Sequence, residues 1–312
     1  KAKGIAIVYI SHRMDEVYRI ADRITVLRDG VRVLTESLKD LTPVQIVEAI
    51  VGRKAAAHLE HLDRSDKITN EVVLEVNNLS SGTKLNGVSF SVKKGEILGL
   101  AGLMGSGRTE LVNTIFGVTK ADTGTIKING QATNISSPRE AIKNRIALIP
   151  EDRRSQGLVL DHPVTENLTL PILDSLKSNG LLSNKKILAK SQEIIDLFAV
   201  KAAQPSIRVG SLSGGNQQKV VIGKWLATDP SLLMMDEPTA GVDIGTKSEI
   251  LDLVRAIADS GKSVILISSE LPELLAVSDR VLVLKDGRVL KTLNRNEIPT
   301  EEFLQLEIQG AN

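Results

Sequence analysis

The feature that most restricts the fold of this chain is an internal repeat near its two ends. Residues 20–30 read Ile-Ala-Asp-Arg-Ile-Thr-Val-Leu-Arg-Asp-Gly, and residues 277–287 read Val-Ser-Asp-Arg-Val-Leu-Val-Leu-Lys-Asp-Gly. The upstream segments 10–13 and 267–270 keep the same offset of 257 positions. A period this long indicates two copies of a domain rather than a solenoid. Each copy predicts a strand, a short helix, a strand, an Asp-Gly turn and a further strand.

The repeat divides the chain into unequal parts. We expect residues 1–60 to be the C-terminal tail of a first, truncated domain. Residues 61–70 are polar and lack periodicity, which predicts a linker. Residues 71–312 are expected to form a second, complete domain. We interpret the nearby His58 and His61 as solvated residues, because no cysteine or carboxylate cluster accompanies them.

Composition argues against several classes of protein. Lys plus Arg total 39 and Asp plus Glu total 38, and the resulting net charge of +1 argues against nucleic-acid binding driven by bulk charge. The absence of cysteine excludes a disulfide scaffold and a thiolate zinc site. Because aromatic residues are only 2% of the chain, base-stacking platforms are nearly excluded. No apolar run is long enough to predict a membrane-spanning helix.

A glycine-rich segment follows a predicted buried strand at 97–101 and precedes a predicted helix at 109–116. The segment reads Gly102-Leu103-Met104-Gly105-Ser106-Gly107-Arg108-Thr109, which is the spacing of a phosphate-binding loop with arginine in place of lysine. Glycines let backbone N–H groups surround phosphate oxygens, and the helix N-terminus adds partial positive charge. The predicted nucleotide ligands here are Gly102, Gly105, Ser106, Gly107, Arg108 and Thr109. Thr109 is also a predicted magnesium ligand, although the segment alone could equally be a turn that binds nothing.

A second motif at 211–219 reads Ser-Leu-Ser-Gly-Gly-Asn-Gln-Gln-Lys. The hydroxyl of Ser213 and the backbone N–H groups of Gly214 and Gly215 stand at the start of a predicted helix, which favours a second anion site. The alternative is an ordinary N-capped helix.

A third motif at 232–238 reads Leu-Leu-Met-Met-Asp-Glu-Pro, a buried strand that ends in two carboxylates. Asp236 is predicted to coordinate magnesium. Glu237 is predicted to polarise an attacking water, which is the work of a general base. A strand end with two solvated acids is the alternative, and it leaves Pro238 unexplained.

Together and in this order, the three motifs resemble the nucleotide-binding cassette of ATP-binding cassette (ABC) proteins. The resemblance covers residues 71–290 and the tail at 1–50. Pro-Glu-Asp-Arg-Arg at 150–154 and the 211–219 motif narrow it to the tandem ATP-binding subunits of monosaccharide importers. It implies an α/β fold: a P-loop cassette with a mostly parallel core sheet, an antiparallel β subdomain and a helical subdomain, preceded by the tail of a first cassette.

The resemblance also implies roles for further residues. The positions expected to contact nucleotide are the signature loop with Ser213, Gly214, Gly215 and Asn216, the D-loop residue Asp243, the Q-loop position Glu151, and Ser269 at the place of the switch histidine. In the tail, the matching histidine is His12, which is predicted to be catalytic together with Glu237.

Four features of the second cassette depart from the family pattern. They are Arg108, Glu151, Ser269 and the lack of an aromatic residue near 78–86 that could stack on adenine. Cassettes of this family pair head to tail, so the signature loop of this cassette would complete the site of the first cassette beside His12. The sequence therefore predicts one competent and one impaired nucleotide site.

The implied function is ATP binding and hydrolysis, with Mg²⁺, to energise import of a monosaccharide. The expected partners are two transmembrane permease subunits, the first cassette of the same chain and, indirectly, a periplasmic or extracellular sugar-binding protein. The expected location is the cytoplasmic face of the cell membrane, as a peripheral subunit, without a nucleic-acid partner. The main alternative is a soluble tandem cassette ATPase acting on ribosomes or nucleic acid, although the short linker and near-neutral charge disfavour it. A module that binds nucleotide without hydrolysis is a third possibility.

Overall fold

A computed structural model describes residues 4–11, 14–28, 30–51 and 63–310. The α-helices of these residues are, in chain order, α1 (Met14–Ile20), α2 (Pro43–Val51), α3 (Arg108–Ile115), α4 (Pro138–Lys143), α5 (Val164–Thr169), α6 (Asn184–Leu197), α7 (Gly214–Leu226), α8 (Ile244–Asp259), α9 (Leu271–Val277) and α10 (Glu301–Gln309). The strands are β1 (Arg23–Arg28), β2 (Val31–Ser37), β3 (Val72–Ser81), β4 (Leu85–Lys93), β5 (Ile97–Ala101), β6 (Thr123–Ile128), β7 (Gln131–Thr133), β8 (Ile146–Ile149), β9 (Lys177–Ser178), β10 (Leu181–Leu182), β11 (Leu232–Asp236), β12 (Ser263–Ile267), β13 (Arg280–Lys285) and β14 (Arg288–Asn294).

The core is a six-stranded sheet with the order β14-β13-β5-β12-β11-β8. Its strands run parallel except for the antiparallel pair β13 and β14. Every residue of β5, β8, β11 and β12 is buried, as expected for parallel strands covered on both faces. The predicted mostly parallel core sheet is therefore confirmed, and it brings the ends of β5, β11 and β12 to one edge.

Apolar packing lies on both faces of this sheet. Alternate residues of β5 belong to two different apolar clusters, one on each face of the sheet. Ile97 and Ala101 pack in the cluster that contains α7 and α8, whereas Leu98 and Leu100 pack in the cluster that contains α3. The second cluster also includes residues of a four-stranded antiparallel sheet, β4-β3-β6-β7. This sheet is the predicted antiparallel β subdomain.

The predicted helical region at 160–205 contains helices α5 and α6, which pack on each other, and α5 also packs on α7. A 3-10 turn, Leu170–Leu176, follows α5. A short antiparallel hairpin of β9 and β10 then interrupts the helical pattern. The helical subdomain is therefore present with a hairpin that the sequence pattern did not indicate.

The tail contains α1, the antiparallel pair β1 and β2, and α2, which lies against α8. The strand predicted to begin the tail is wrong, because residues 5–10 have no regular structure and Val8 and Ile10 are 92% and 93% exposed. In the second copy the equivalent strand, β12, is bonded to β11 and β5. The counterparts of β11 and β5 at the repeat offset would precede residue 1, and a strand without neighbours has no ladder to join.

The chain from residue 64 onward docks on the second cassette. The side chain of Arg64 is 5% exposed and donates to Asp259 Oδ1 at 2.9 Å, Asp279 Oδ2 at 2.8 Å and the Gly95 carbonyl at 3.2 Å. His58 and His61 lie outside the described residues, so the boundaries at 60 and 70 stay predictions. Among the helices described, none combines the length and apolarity that crossing a membrane requires.

Candidate functional site

The glycine-rich segment forms a tight loop between β5 and α3, which begins at Arg108, one residue before the predicted start. Gly105 and Gly107 have φ values of 81° and 101°, a region that L side chains rarely adopt. A Cβ atom at Gly107 would lie 2.9 Å from the Lys84 carbonyl oxygen, whereas one at Gly105 would face open space. The loop is therefore closely supported from behind and open in front, as a phosphate cradle requires.

The support behind the loop comes from the repeated Asp-Gly turn. The N–H of Gly287 donates to the carbonyl of Ser106 at 3.0 Å, and the carbonyl of Gly287 accepts from the N–H of Asn86 at 2.8 Å. A Cβ atom at Gly287 would lie only 2.1 Å from the Lys84 carbonyl oxygen. A side chain at position 287 cannot fit between this turn and the backbone that leads into β4, so the turn requires glycine.

The carboxylate of Asp236 lies at the end of β11, against this loop. It is 2% exposed, and the side chain of Thr109 lies near enough to favour its charged form. Burial, reinforced by the negative charges of Glu151 and Glu237, raises the pKa of Asp236 to about 6. The two predicted magnesium ligands therefore lie close to each other.

Two buried oxygens at the loop lack hydrogen-bond partners among the described residues. They are Asp236 Oδ1 and the hydroxyl oxygen Ser106 Oγ. Because an unpaired buried polar group is costly, these atoms fit a site completed by a bound polar group. A hard cation takes oxygen ligands of this kind, so the residues present are suited to magnesium.

Glu237 follows Asp236 with a φ of 45°, which turns its side chain toward β12. Its Oε2 accepts from the N–H of Ser269 at 3.0 Å and from the Ser269 hydroxyl at 3.1 Å. Arg108 Nη1 donates to the Ser268 carbonyl at 3.3 Å and lies 4.0 Å from Glu237 Oε1. The structure thus brings Arg108, Glu237 and Ser269 together.

The signature-loop residues form a separate group at the start of α7. Asn216 Nδ2 donates to Ser213 Oγ at 2.9 Å, and Asn216 Oδ1 accepts from the N–H of Lys201 at 2.7 Å. A Cβ atom at Gly215 would lie 2.6 Å from Thr246 Cγ2, so the loop packs on the first turn of α8. Among the described residues, no hydrogen bond or ion pair joins 213–216 to the glycine-rich loop.

Asp243 caps α8. Its Oδ1 accepts from the N–H of Thr246 at 2.9 Å and its Oδ2 from the Thr246 hydroxyl at 2.8 Å. Burial by itself would raise the pKa of Asp243, but these hydrogen bonds outweigh it and hold the pKa below its usual value. Glu151 is exposed just after β8, and His12 lies outside the described residues.

Sequence reasoning assigned no role to Glu273, a buried carboxylate on α9. Its Oε2 accepts from the hydroxyls of Thr239 at 2.6 Å and Ser268 at 2.7 Å, so it joins the loops that follow β11 and β12. The repeat holds the signal that could have found it. In the tail, Ser11 Oγ donates to Glu16 Oε2 at 3.2 Å, at the same spacing and offset.

A family model described as ABC transporter matches residues 85–240, half of the chain. The matched stretch contains the glycine-rich loop, the signature loop and both carboxylates. This chain belongs to the ABC transporter family. The α/β P-loop fold implied by the three motifs is thereby confirmed.

Two relatives illustrate where in the ABC transporter family the chain lies. It is 46% identical over 310 residues to a ribose import ATP-binding protein RbsA of Bacillus cereus, with 99% of this chain and 62% of that protein covered. It is 44% identical over 308 residues to the galactose/methyl galactoside import ATP-binding protein MglA of Clostridium perfringens, with 98% and 59% covered. The chain thus spans about three fifths of the length of these curated relatives.

Solved ABC transporter cassettes share the fold. A nucleotide-free ATP-binding cassette from an ABC transporter has a TM-score of 0.64 and 25% identity, and the match covers 75% of this chain and 98% of that one. The cassette MJ1267 has a TM-score of 0.67 and 26% identity, with 78% and 98% covered. Each is one cassette, and each leaves about a quarter of this chain unmatched, as expected if the N-terminal tail is additional.

Proposed function

We propose that this chain is part of a tandem-cassette subunit that binds and hydrolyses ATP to energise import of a monosaccharide. The observation that carries the proposal is the buried Asp236 and adjacent Glu237, placed beside a phosphate cradle and the Thr109 hydroxyl. The relatives described above, which are named for ribose import and for galactose or methyl galactoside import, support the transport role.

The residues of the cradle divide the work of holding ATP. Backbone N–H groups at Gly105 and Gly107 bind phosphate oxygens, and the Arg108 guanidinium balances their charge. Thr109 and Asp236 hold magnesium, which supplies positive charge to the phosphates when bound. Glu237 orients water and accepts its proton.

We propose that the two nucleotide sites of the tandem protein are unequal. In this cassette, Arg108 and Ser269 contact Glu237, and the histidine of the family pattern is replaced by Ser269. The separation of the signature loop from the glycine-rich loop within one chain supports head-to-tail pairing. Ser213, Gly214 and Gly215 would then serve the first cassette's site together with His12.

The proposed organisation follows from this pairing. Residues 1–60 complete a first cassette, residues 61–70 link it to the second, and residues 71–312 form the second. The proposed partners are two transmembrane permease subunits and, indirectly, a periplasmic or extracellular sugar-binding protein. The subunit would act at the cytoplasmic face of the membrane as a peripheral protein.

The test measures ATP turnover and sugar uptake by the intact tandem protein with its permease subunits in vesicles. We expect Ser213→Ala to lower turnover by about a hundredfold and Arg108→Ala by less than about threefold, because only the first site is fully competent. Ser211→Ala is the matched control, since its hydroxyl donates to the Arg208 carbonyl just before the signature loop. Equal losses for Ser213→Ala and Arg108→Ala would contradict the asymmetry. Co-purification with ribosomes instead of an integral membrane protein would contradict import.

A further inference from the structure

Arg153 joins the segment after β8 to the loop after β11. It opens a short π-helical turn, Arg153–Gly157, two residues beyond Glu151. Its Nη1 donates to the carbonyl of Ala240 at 2.7 Å and its Nη2 to the carbonyl of Gly241 at 3.3 Å. One guanidinium therefore spans two successive carbonyls of the loop that leads to Asp243.

The same guanidinium is packed against the start of α7. A Cβ atom at Gly214 would lie 2.9 Å from Arg153 Nη2 and 3.3 Å from the Gly241 carbonyl oxygen. An alanine at Gly214 would push the arginine off its carbonyl partners. Three segments, 151–157, 240–243 and 213–215, thus meet at one side chain.

The charge of Arg153 is held by backbone dipoles. In the ranges that the structure describes, no carboxylate lies within ion-pair distance of its guanidinium. The side chain is half-buried, and its Nε is buried without a hydrogen-bond partner in those ranges. A planar fork with several donors suits two adjacent carbonyls, whereas a lysine ammonium is a point charge and would hold them less firmly.

The segment that carries Arg153 also reaches the edge where Asp236 and the glycine-rich loop meet. Strand β8 pairs in parallel with β11, with Ile149 opposite Met235, so the segment that contains Glu151 leaves the sheet beside Asp236. A displacement at this edge therefore moves the backbone on which Arg153 is mounted, only two residues away.

We infer that Arg153 is a positioning residue that couples the Glu151 segment beside this cassette's phosphate cradle to the 240–243 loop and the 213–215 turn. The coupling between the two nucleotide sites rests on the proposed head-to-tail pairing, because the 213–215 turn then serves the site of the paired cassette. Arg153 transmits nucleotide occupancy at one site to the other, and it does so without touching the nucleotide. It sets turnover, not affinity.

The experiment uses the intact tandem protein with its permease subunits and the variants Arg153→Ala and Arg153→Lys. The matched control is Arg154→Ala, an adjacent exposed arginine. Hydrogen exchange is followed for the peptides covering 238–246 and 212–218, and the kcat and KM of ATP turnover are measured in parallel. In Arg153→Ala we expect exchange in both peptides to rise at least about fivefold, because the contacts that protect them are lost. We expect kcat to fall about tenfold with KM within about twofold of wild type.

Arg153→Lys separates positioning from a general loss of folding. It keeps the charge and one donor direction, so exchange and kcat should lie between those of the wild type and Arg153→Ala, with an unchanged melting temperature. Exchange in Arg153→Ala equal to that in Arg154→Ala would overturn the inference, and so would a rise in KM at constant kcat. A wild-type protein without ATP turnover would instead refute the proposed function, while the exchange comparison would still decide the role of Arg153.

Discussion

Arg108 Nη1 lies 4.0 Å from Oε1 of Glu237, so the cation of the glycine-rich loop faces the carboxylate that should activate water. Both side chains are largely buried, at 12% and 14% exposure. The guanidinium also donates to the carbonyl of Ser268. An incoming phosphate must share the guanidinium with these two oxygens or displace them, and either requirement weakens binding.

Arg108→Lys should therefore strengthen nucleotide binding at this cassette. A lysine ammonium is a compact point charge suited to phosphate, and it cannot bridge Ser268 and Glu237 as the fork does. We expect a fluorescent ATP analogue to bind this chain about threefold to tenfold more tightly, or roughly 1 kcal/mol. Arg108→Met is the control for loss of charge and should bind more weakly. Weaker binding by Arg108→Lys than by the wild type would contradict this account.

Glu273→Ala should destabilise the chain. It leaves the Thr239 hydroxyl without its acceptor in the interior, and it leaves the Ser268 hydroxyl with only the longer bond of 3.4 Å to the Glu270 carbonyl among the described residues. Leaving buried donors unpaired costs about 2–3 kcal/mol in the free energy of unfolding. Glu273 also lies 3.6 Å from the ammonium of Lys247, which pairs with the half-exposed Glu270 as well. Glu270→Ala is therefore the matched control, and its loss should cost under about 0.5 kcal/mol. Urea unfolding measures the free energy of unfolding of both variants. Equal losses would show that the buried carboxylate of Glu273 stabilises the fold no more than the exposed one of Glu270 does.

Lys224 should make stability depend on pH above neutrality. The ammonium of Lys224 lies 5.4 Å from the centroid of the Trp225 ring and donates to the Gly157 carbonyl. Burial at this position lowers the pKa of Lys224 from 10.5 to about 8. Between these two values the unfolded chain keeps a proton that the folded chain has released, so raising the pH favours folding.

We therefore expect the free energy of unfolding of the wild type to gain up to about 3 kcal/mol, relative to Lys224→Met, from pH 8 to 10.5. The difference between the two proteins removes the contribution of other lysines and of tyrosines. A difference that stays constant over this range would refute the lowered pKa.

Arg64→Ala should loosen the N-terminal tail from the second cassette. The change removes a buried cation and leaves the carboxylate of Asp279, only 7% exposed, without its ion-pair partner. Breaking a buried pair from one side costs about 3–5 kcal/mol. Limited proteolysis near residue 64 and urea unfolding should both detect it. The control Lys67→Ala removes a 52% exposed cation from the same segment and should have little effect.

Prediction from the sequence succeeded where the signal is local. β5 has the predicted bounds of 97–101, and β11 begins at the predicted Leu232 and ends at the first of the two predicted carboxylates, Asp236. A continuous apolar run between turn signals defines a buried strand by itself. The strand expected at the start of the tail failed for the opposite reason. Its residues have strand character, but a strand exists only with neighbours, and those neighbours would precede residue 1.

The candidate site shows the same limit. The spacing of glycines and the pair Asp236 and Glu237 predicted a loop and two carboxylates that the structure places at one edge of the core sheet, and their binding of nucleotide stays a prediction. Arg153 was part of a recognised pattern, but nothing local tells that its guanidinium reaches Ala240 and Gly241, which are 87 and 88 positions away. Its role therefore required the structure.

By itself, the sequence determined the glycine-rich loop between a buried strand and a helix, the strand that ends in two carboxylates, and the presence of Arg108 and Ser269 at their positions. These are properties of short segments, where residue type and spacing act on the local backbone. The duplicated organisation and the binding of phosphate stay predictions. Only the tertiary structure decided that Arg108 faces Glu237, that Glu273 joins the loops after β11 and β12, and that Arg64 bonds to Asp259 and Asp279. Each of these contacts depends on the order of strands in the core sheet. That order is set by burial of apolar surface across the whole domain, which no single segment can specify.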